Sequence, residues 1–218
     1  MKAHSARVPG KNFKPFAGKP LFRWIVDVVL SIPEVETLVI NTDARDILES
    51  LGLSSNGRVL IRDRRAAICG DDVSMNEVLA DDIAAVKGSV YLMTHTTNPL
   101  LSRETIARAV ARFQEAVASG EADSLFTVNR YQSRFYDAQA RPLNHDPERL
   151  VMTQELEPWF EENSNLYLFT WESFTRTKAR IGRRPLMFET PRRESVDIDN
   201  AADWALAEAL ASAIERST

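Results

Sequence analysis

Short apolar runs alternate along the chain with longer amphipathic stretches. Five runs have the length and the β-branched or aromatic content of buried strands, at 37–41, 58–61, 90–94, 124–128 and 166–170. Apolar residues at helical spacing predict helices at 20–30, 45–51, 74–86, 102–117 and 199–214. Strands that alternate with helices indicate an α/β fold with a mostly parallel sheet.

The stretch from 130 to 162 breaks this alternation. It carries Pro142, Pro147 and Pro158, which indicate an irregular, β-rich arm. It nevertheless keeps large apolar side chains, namely Tyr131, Phe135, Tyr136, Leu150, Trp159 and Phe160. Because such surface is unfavourable in water, we expect a single domain over 1–218 whose 130–162 arm packs against a second copy, giving a homodimer.

Composition and charge narrow the classes of function. With a net charge of −4, the chain lacks the basic surface that sequence-independent nucleic-acid binding requires. Its one cysteine, Cys69, excludes an intrachain disulfide and fits a reducing cytoplasm. No apolar run approaches the ~20 residues of a membrane span, and the N-terminus lacks the apolar segment of a signal peptide. We therefore expect a cytoplasmic protein that binds neither membranes nor nucleic acids.

Polar segments follow the predicted strands or form the opening loop, at 2–12, 41–43, 95–99 and 197–199. Ligands of α/β proteins bind beyond the carboxyl ends of the strands, so these segments are the candidate site. The opening segment combines Lys2, Arg7 and Lys11 with Ser5 and Gly10. This mixture suits a triphosphate but also a solvated basic tail. No Walker A pattern is present, which argues against a P-loop enzyme.

Asp197 and Asp199 form a second chemical candidate. On a strand, residues two apart point to the same face, and two carboxylates there would bind Mg²⁺ on a nucleotide. Alternatively, Asp199 caps the last helix, which it directly precedes. The segment 96–99 also has both a functional and a structural interpretation. It belongs to the candidate site, but it also suits an ordinary strand-to-helix turn.

Seven segments, taken in order, resemble the CMP-sialic acid synthetase (acylneuraminate cytidylyltransferase) family. Residues 1–12 match the family pattern P-A-R-x-x-S-K-x-x-P-x-K-N from the position after its first proline. The other matches are 17–21 (G-K-P-L), 39–43 (V-I-V-S-T-D), 64–71 (R-P-x-x-L-x-x-D), 95–100 (Q-P-T-S-P-L), 163–167 (N-G-A-I-Y) and 195–199 (S-I-D-I-D). An ordered set over nearly the whole chain is hard to produce by chance.

The resemblance implies a Rossmann-like fold of the nucleotide-diphospho-sugar transferase type. CTP would be bound by Lys2, Ser5, Arg7, Lys11, Asn12, Asp43, Arg64 and Ser74, with Lys11 nearest the α-phosphate. Asp197 and Asp199 would bind Mg²⁺ and form the catalytic set together with Lys11. The acceptor would be held by His95, Thr97, Asn98, Gln154 and Asn163. The 130–162 arm would be the dimerisation element, reaching toward the neighbouring subunit's site.

Several positions depart from the family pattern, and these departures change what we expect of the sheet and of the acceptor. The family has a strand before the opening loop, whereas this chain begins inside that loop, which implies either an upstream segment or a sheet without that strand. Lys2 replaces an Arg, Ala6 a Lys and His95 a Gln. Glu161 stands where the family has an acceptor-binding Arg, so we expect N-acetylneuraminate to be a poor acceptor. Other cations that could compensate are Arg130, Arg134, Arg192 and Arg193.

These observations predict a cytidylyltransferase. An oxygen of a nonulosonic acid, of 3-deoxy-manno-octulosonic acid or of a small phosphonate would attack the α-phosphorus of CTP and release pyrophosphate. Positioning and charge neutralisation would supply most of the catalysis. The alternative is a non-catalytic nucleotide-binding relative, because a fold alone does not determine function.

Overall fold

Strands and helices alternate through most of the chain, as the sequence pattern predicts. The computed structural model describes residues 1–4, 8–70 and 72–215. The helices are α1 Leu21–Leu30, α2 Arg45–Ser50, α3 Met75–Ala85, α4 Arg103–Ala118, α5 Trp171–Thr177 and α6 Ala201–Glu215. The strands are β1 Pro15–Phe16, β2 Lys19–Pro20, β3 Leu38–Thr42, β4 Val59–Asp63, β5 Val90–Thr94, β6 Ser124–Tyr131, β7 Trp159–Thr170 and β8 Pro185–Glu189. Within the described ranges, no helix is long and apolar enough to cross a membrane.

The described strands form a mixed four-stranded sheet and two smaller sheets. The larger sheet has the order β5-β7-β6-β8, in which β7 is antiparallel to both neighbours and β6 is parallel to β8. β3 and β4 pair in parallel, and β1 and β2 form a short hairpin. In the part of the chain that is described, no pairing joins β3 to β5. The predicted α/β class is confirmed, with antiparallel pairs where β7 returns beside β6.

Helices α1 and α4 cover one face of the four-stranded sheet. Their shared core contains Ile25, Val29, Ile106, Phe113, Leu125, Leu166 and Leu168. On a neighbouring face of α1, Phe22 and Val26 pack against Ile40 of β3. Complete burial of side chains of this size contributes about 1.5–3 kcal/mol each. Helix α1 therefore packs against both the small parallel sheet and the larger sheet.

Successive residues of β7 face opposite sides of the sheet. Leu166 and Leu168 belong to the core under α1 and α4. Tyr167 and Phe169 pack on the other side with Phe174 of α5. Residues 166–169 of the strand are thus buried on both faces, which explains why this part of its sequence is a continuous apolar run rather than an alternating one.

The C-terminal helix packs on the opening segment. Trp204, Ala207 and Ala211 of α6 are buried in one cluster with Phe16 of β1. The rings of Phe16 and Trp204 meet edge to face with centroids 5.4 Å apart. This packing fixes the loop before α6 beside the opening loop, although the two segments lie at opposite ends of the sequence.

Helix α5 and strand β8 were not predicted from the sequence. Both are short and lie among basic residues, whose charge interrupts the apolar pattern. β6 and β7 also extend into the predicted arm, where Tyr131 pairs with Trp159. The rest of the arm contains a bridge between Tyr136 and Pro142 and the short turn Thr153–Glu155.

Candidate active site

Lys11 lies in the opening loop and is almost completely buried. It begins a short 3-10 turn after Gly10, which adopts the left-handed conformation with φ +62°. Its ammonium group donates to the Ile198 carbonyl and lies 3.4 Å from Asp199 Oδ1. A lysine with a side chain only 9% exposed requires such partners. The part of the opening loop around Lys11 is therefore not the solvated tail that its composition also allowed.

Asp197 and Asp199 lie in the loop before α6 and not on a strand. Asn200 caps the helix, because its Oδ1 accepts the N–H groups of Ala202 at 2.8 Å and Asp203 at 3.1 Å. Asp203 in turn accepts the N–H groups of Asp199 and Asn200, which completes a reciprocal capping box. The expectation of a strand is therefore wrong, and Asp199 is not the cap because Asn200 takes that role.

Asp197 is held in surroundings that oppose its charge. Its Oδ1 atom is buried, and no described residue donates a hydrogen bond to it. Burial raises the pKa of Asp197 and the Asp199 carboxylate raises it further, whereas the Thr97 hydroxyl and Lys11 act in the opposite direction. An ionised carboxylate in this position lowers stability unless a cation joins it.

The two carboxylates suit a Mg²⁺ ion shared with phosphates. Such an ion is typically held by one or two carboxylates plus the phosphates of the substrate. Asp197 offers a buried oxygen without a partner among the described residues, and Asp199 offers a side chain that is 39% exposed. In the ranges that the structure covers, no three His, Cys, Asp or Glu side chains cluster as a ready-made metal site. The arrangement therefore fits an ion that arrives with a nucleotide.

Hydrogen bonds connect these two loops to the end of β5. Thr96 Oγ1 donates to Asn12 Oδ1 at 2.6 Å, and Asn12 Nδ2 donates to the Lys2 carbonyl at 2.9 Å. The N–H of Ile198 donates to the Thr97 carbonyl at 2.9 Å. Three of the four predicted polar segments therefore meet at one place.

The fourth polar segment, after β3, is joined to the opening residues. Arg64 binds Asn41 twice, from Nε to the side-chain oxygen at 2.8 Å and from a terminal nitrogen to the carbonyl at 2.9 Å. Asp43 Oδ1 accepts the N–H of Ala3 at 2.6 Å. Ser74 caps α3 with its hydroxyl, as its spacing predicts. Through the contact with Asp43, the opening residues are held against the end of β3.

His95 follows β5 and lies beside the cations of the site. Burial lowers the pKa of His95 to about 4, and the charges of Arg180, the Met1 ammonium and Lys11 lower it further. The imidazole is therefore neutral near pH 7 and can both donate and accept a hydrogen bond. Asn98, three residues on, is completely buried, and its Oδ1 has no partner among the described residues.

Two asparagines of β7 are buried, and one of them, Asn163, is predicted from the sequence to bind the acceptor. Asn163 Nδ2 donates to Asn129 Oδ1 at 3.1 Å and to Thr190 Oγ1 at 2.7 Å. Asn165 is completely buried and donates to the Glu194 carbonyl at 3.0 Å, while its Oδ1 has no described partner. Sequence reasoning missed Asn165, although it lies in the same matched segment as Asn163.

Glu161 and Glu162 both have partners. Glu161 accepts a hydrogen bond from the Tyr131 hydroxyl at 3.0 Å. Glu162 accepts one from the Tyr167 hydroxyl and pairs with Arg180 at 3.3 Å. The sequence did not single out Arg180, because it lies in the loop after α5 and outside the polar segments at the strand ends.

The structure brings several of the predicted site residues together, places Gln154 elsewhere and does not describe Ser5 and Arg7. Contacts link the loops that carry Lys2, Lys11, Asn12, Thr97, Asn98, Asp197 and Asp199. Gln154 lies instead on the exposed arm, where it contacts Gln132 and Met152. Ser5 and Arg7 lie outside the described residues, so their predicted roles stay predictions.

The chain is similar in sequence and in fold to known proteins. The sequence model of the cytidylyltransferase family matches residues 1–209. The CMP-N,N'-diacetyllegionaminic acid synthase of Legionella pneumophila is 27% identical over 221 residues, covering 96% of this chain and 92% of that protein. N-acylneuraminate cytidylyltransferase B of Danio rerio is 27% identical over 94% of this chain, which spans 48% of that protein. A solved structure of CMP:2-keto-3-deoxy-manno-octonic acid synthetase, complexed with CTP, gives a TM-score of 0.65 at 14% identity over 98% of this chain and 96% of that one.

The family match covers almost the whole chain. It includes the opening loop with Lys11 and the loop with Asp197 and Asp199. The similarity to the solved structure shows, independently of close sequence identity, that the fold is shared. The chain therefore belongs to the cytidylyltransferase family and is a CTP-dependent nucleotidyltransferase.

Proposed function

We propose that the protein transfers CMP from CTP to a nonulosonic or related sugar acid and releases pyrophosphate. The observation that carries this proposal is the meeting of a buried lysine, Lys11, with Asp199 and its neighbour Asp197 at the end of β5. The names of the two similar proteins, which refer to CMP-linked or acylated sugar acids, support this acceptor class. Because CTP is supplied inside the cell, we infer that the enzyme acts in the cytoplasm.

The reaction is a substitution at the α-phosphorus of CTP. The acceptor oxygen forms the new P–O bond, the bond to the β-phosphate oxygen breaks, and the acceptor hydroxyl releases its proton. Lys11 would meet the α-phosphate, where a cation stabilises the charge of the transition state. The Ile198 carbonyl and Asp199 hold the ammonium group in position, so little reorganisation is needed when CTP binds.

Mg²⁺ would be held by Asp197 and Asp199 together with the nucleotide phosphates. When bound, it neutralises phosphate charge and polarises the phosphoryl oxygens. The partnerless Oδ1 of Asp197 supports this assignment. A cation would also relieve the burial and repulsion that raise the pKa of Asp197.

We infer that the arm, residues 130–162, joins two copies of the chain. Three of its apolar side chains are more than half exposed, namely Leu150 at 76%, Met152 at 58% and Tyr136 at 53%. A monomer rarely leaves such a patch in water without a function. In such a dimer, Gln154 on the same arm would reach the neighbouring subunit, in keeping with its predicted role toward the acceptor.

Pyrophosphate release from CTP tests the proposed function. The panel of acceptors contains nonulosonic acids, 3-deoxy-manno-octulosonic acid and small phosphonates, and N-acetylneuraminate is expected to be a poor member. Lys11→Ala is expected to lower kcat roughly 100- to 1,000-fold with a smaller effect on the KM for CTP. The exposed Lys87 provides a matched control, Lys87→Ala, with unchanged kinetics. Absence of Mg²⁺-dependent turnover with every sugar acid would contradict the proposal.

A further inference from the structure

Arg180 lies beside the end of β5, on a loop that no sequence motif marks. Its guanidinium group lies over the Tyr167 ring, 3.8 Å from the centroid, and 4.0 Å from the sulfur of Met93. Met93 and Tyr167 are paired in register on β5 and β7. His95 follows Met93 by two residues, so Arg180 lies where the predicted acceptor segment begins.

Hydrogen bonds hold the Arg180 loop on both sides. The Arg180 N–H donates to Asn76 Oδ1 at 3.1 Å, and the Gly182 N–H donates to Ser124 Oγ at 2.8 Å. A Cβ atom at Gly182 would lie 2.2 Å from Ser173 Oγ, so the loop approaches its neighbours at a distance that glycine alone permits. A cation on a loop held in this way is pre-organised for binding.

The guanidinium group of Arg180 has N–H donors that can bind a ligand. Within the described part of the chain, it contacts one carboxylate oxygen, Glu162 Oε1, at 3.3 Å and does not form the bidentate pair. The Tyr167 hydroxyl donates to the same Glu162 oxygen, and the Arg180 side chain is 22% exposed. Because a guanidinium group carries five N–H donors in a planar fork, it can bind a second carboxylate.

The charges of Arg180 and Lys11 both act on His95. After burial, the charge of Arg180 is the strongest contribution that lowers the pKa of His95, and the charge of Lys11 acts in the same direction. His95 comes two residues after Met93, the residue whose sulfur lies 4.0 Å from the Arg180 guanidinium group. Glu161, which replaces the acceptor-binding Arg of related sequences, is already engaged by Tyr131. An anion between Arg180 and Lys11 would meet two positive charges in a partly buried site, where such contacts are strong.

We propose that Arg180 binds the carboxylate of the acceptor and thereby determines specificity for acidic sugars. This inference rests on the proposed function, because it assigns the acceptor side of the same site. In these sugar acids the anomeric hydroxyl and the carboxylate are attached to one carbon. Arg180 on the carboxylate and Lys11 on the α-phosphate would therefore hold the attacking oxygen between them.

Steady-state kinetics of Arg180 variants test the assignment. Arg180→Ala is expected to raise the KM for the acceptor about 10- to 100-fold while the KM for CTP stays within about twofold, because a charge-assisted hydrogen bond is lost on one substrate alone. Arg180→Lys should recover part of the affinity. Arg183→Ala, at an exposed position of the same loop, is the control and should leave both constants unchanged. The wild-type enzyme should prefer the sugar acid to its methyl ester, and Arg180→Ala should lose that preference.

The outcomes separate this assignment from the proposed function. Turnover by Arg180→Ala with an unchanged acceptor KM and an intact preference for the acid overturns the role of Arg180 and leaves the function standing. A wild-type protein that neither turns over nor binds any sugar acid, by calorimetry with CTP present, overturns both. If the alanine variant does not fold, Arg180→Gln, which keeps a polar head without charge, is measured in its place with the same readouts.

Discussion

Asp197 occupies a position that serves ligand binding better than stability. Burial and the neighbouring Asp199 both raise its pKa, and its Oδ1 lacks a partner among the described residues. Lys11, which is buried nearby, has its charge engaged by Asp199 and the Ile198 carbonyl. The lysine has partners before a ligand binds, whereas Asp197 would gain one from the cation that we propose arrives with the nucleotide.

Asp197→Asn is expected to lower turnover by about 100-fold or more, because the proposed metal loses an anionic ligand. The melting temperature without metal should stay equal or rise, since the substitution removes a poorly solvated charge. Asp46→Asn, at an exposed position on α2, is the control and should alter neither quantity. Near-normal Mg²⁺-dependent turnover by Asp197→Asn would contradict the metal assignment.

The lowered pKa of His95 predicts sensitivity to acid. Its folded-state pKa is about 4, against 6.5 ordinarily, so between these values the unfolded chain binds more protons than the folded one. The stabilisation is complete above pH 6.5 and is lost as the pH falls toward 4, by at most about 3 kcal/mol. Denaturant unfolding at about pH 7 and about pH 5 should show this loss in the wild type and a smaller one in His95→Gln. Equal pH dependence of the two proteins would show that His95 is not its source.

Among the elements, the start of α6 holds the loop that carries Asp197 and Asp199. Asn200 and Asp203 satisfy each other's backbone N–H groups and that of Asp199, so the first turn of the helix also fixes the loop that carries Asp197 and Asp199. The opposite side of the site is the turn after Gly10, whose left-handed conformation directs Lys11 inward. The capped first turn of α6 and the turn after Gly10 are both held by local hydrogen bonds.

Asn200→Ala is expected to destabilise the protein by about 1 kcal/mol, the usual effect of losing a helix cap. Because Asp199 shares the cap, turnover should fall together with stability. Asn200→Asp retains an acceptor oxygen and should restore most of both. Urea unfolding and initial rates measure the two effects, and an Asn200→Ala protein as stable as the wild type would exclude the cap.

At the scale of the whole molecule, helix α1 connects the small parallel sheet to the larger mixed sheet, and the arm extends from the larger sheet. The core under α1 and α4 contains apolar residues of β6 and β7, and the opposite face is covered by α3 and α5. The arm shares neither core, and its exposed Leu150 and Met152 are the reason to expect a second copy there.

Light scattering coupled to size exclusion is expected to give twice the chain mass of 24.6 kDa. Leu150→Glu combined with Met152→Glu should shift the protein to the monomer, because two charges would be buried in the apolar contact. Leu206→Glu on α6 is the control, since Leu206 is 53% exposed but lies outside the arm. A wild-type protein that remains monomeric at micromolar concentration would contradict the role of the arm.

The order of strands and helices was largely determined by the sequence itself. Buried strands such as β5 and amphipathic helices such as α1 and α4 have patterns that follow from local geometry, and their predicted limits lie within a few residues of the observed ones. The sequence also singled out Lys11, Asp197 and Asp199, because the chemistry of phosphate and metal binding restricts the residue types, and their roles stay predictions.

The tertiary structure decided which of these residues contact each other and whether each is buried, paired or part of a helix cap. It distinguished a buried, paired Lys11 from a solvated tail, it assigned the helix cap to Asn200 rather than Asp199, and it brought Arg180 beside Tyr167. None of these follows from local pattern, because each depends on contacts between segments far apart in the sequence or on competition between neighbouring polar groups. Local backbone preferences act over a few residues, whereas burial and charge pairing depend on the packing of the whole chain.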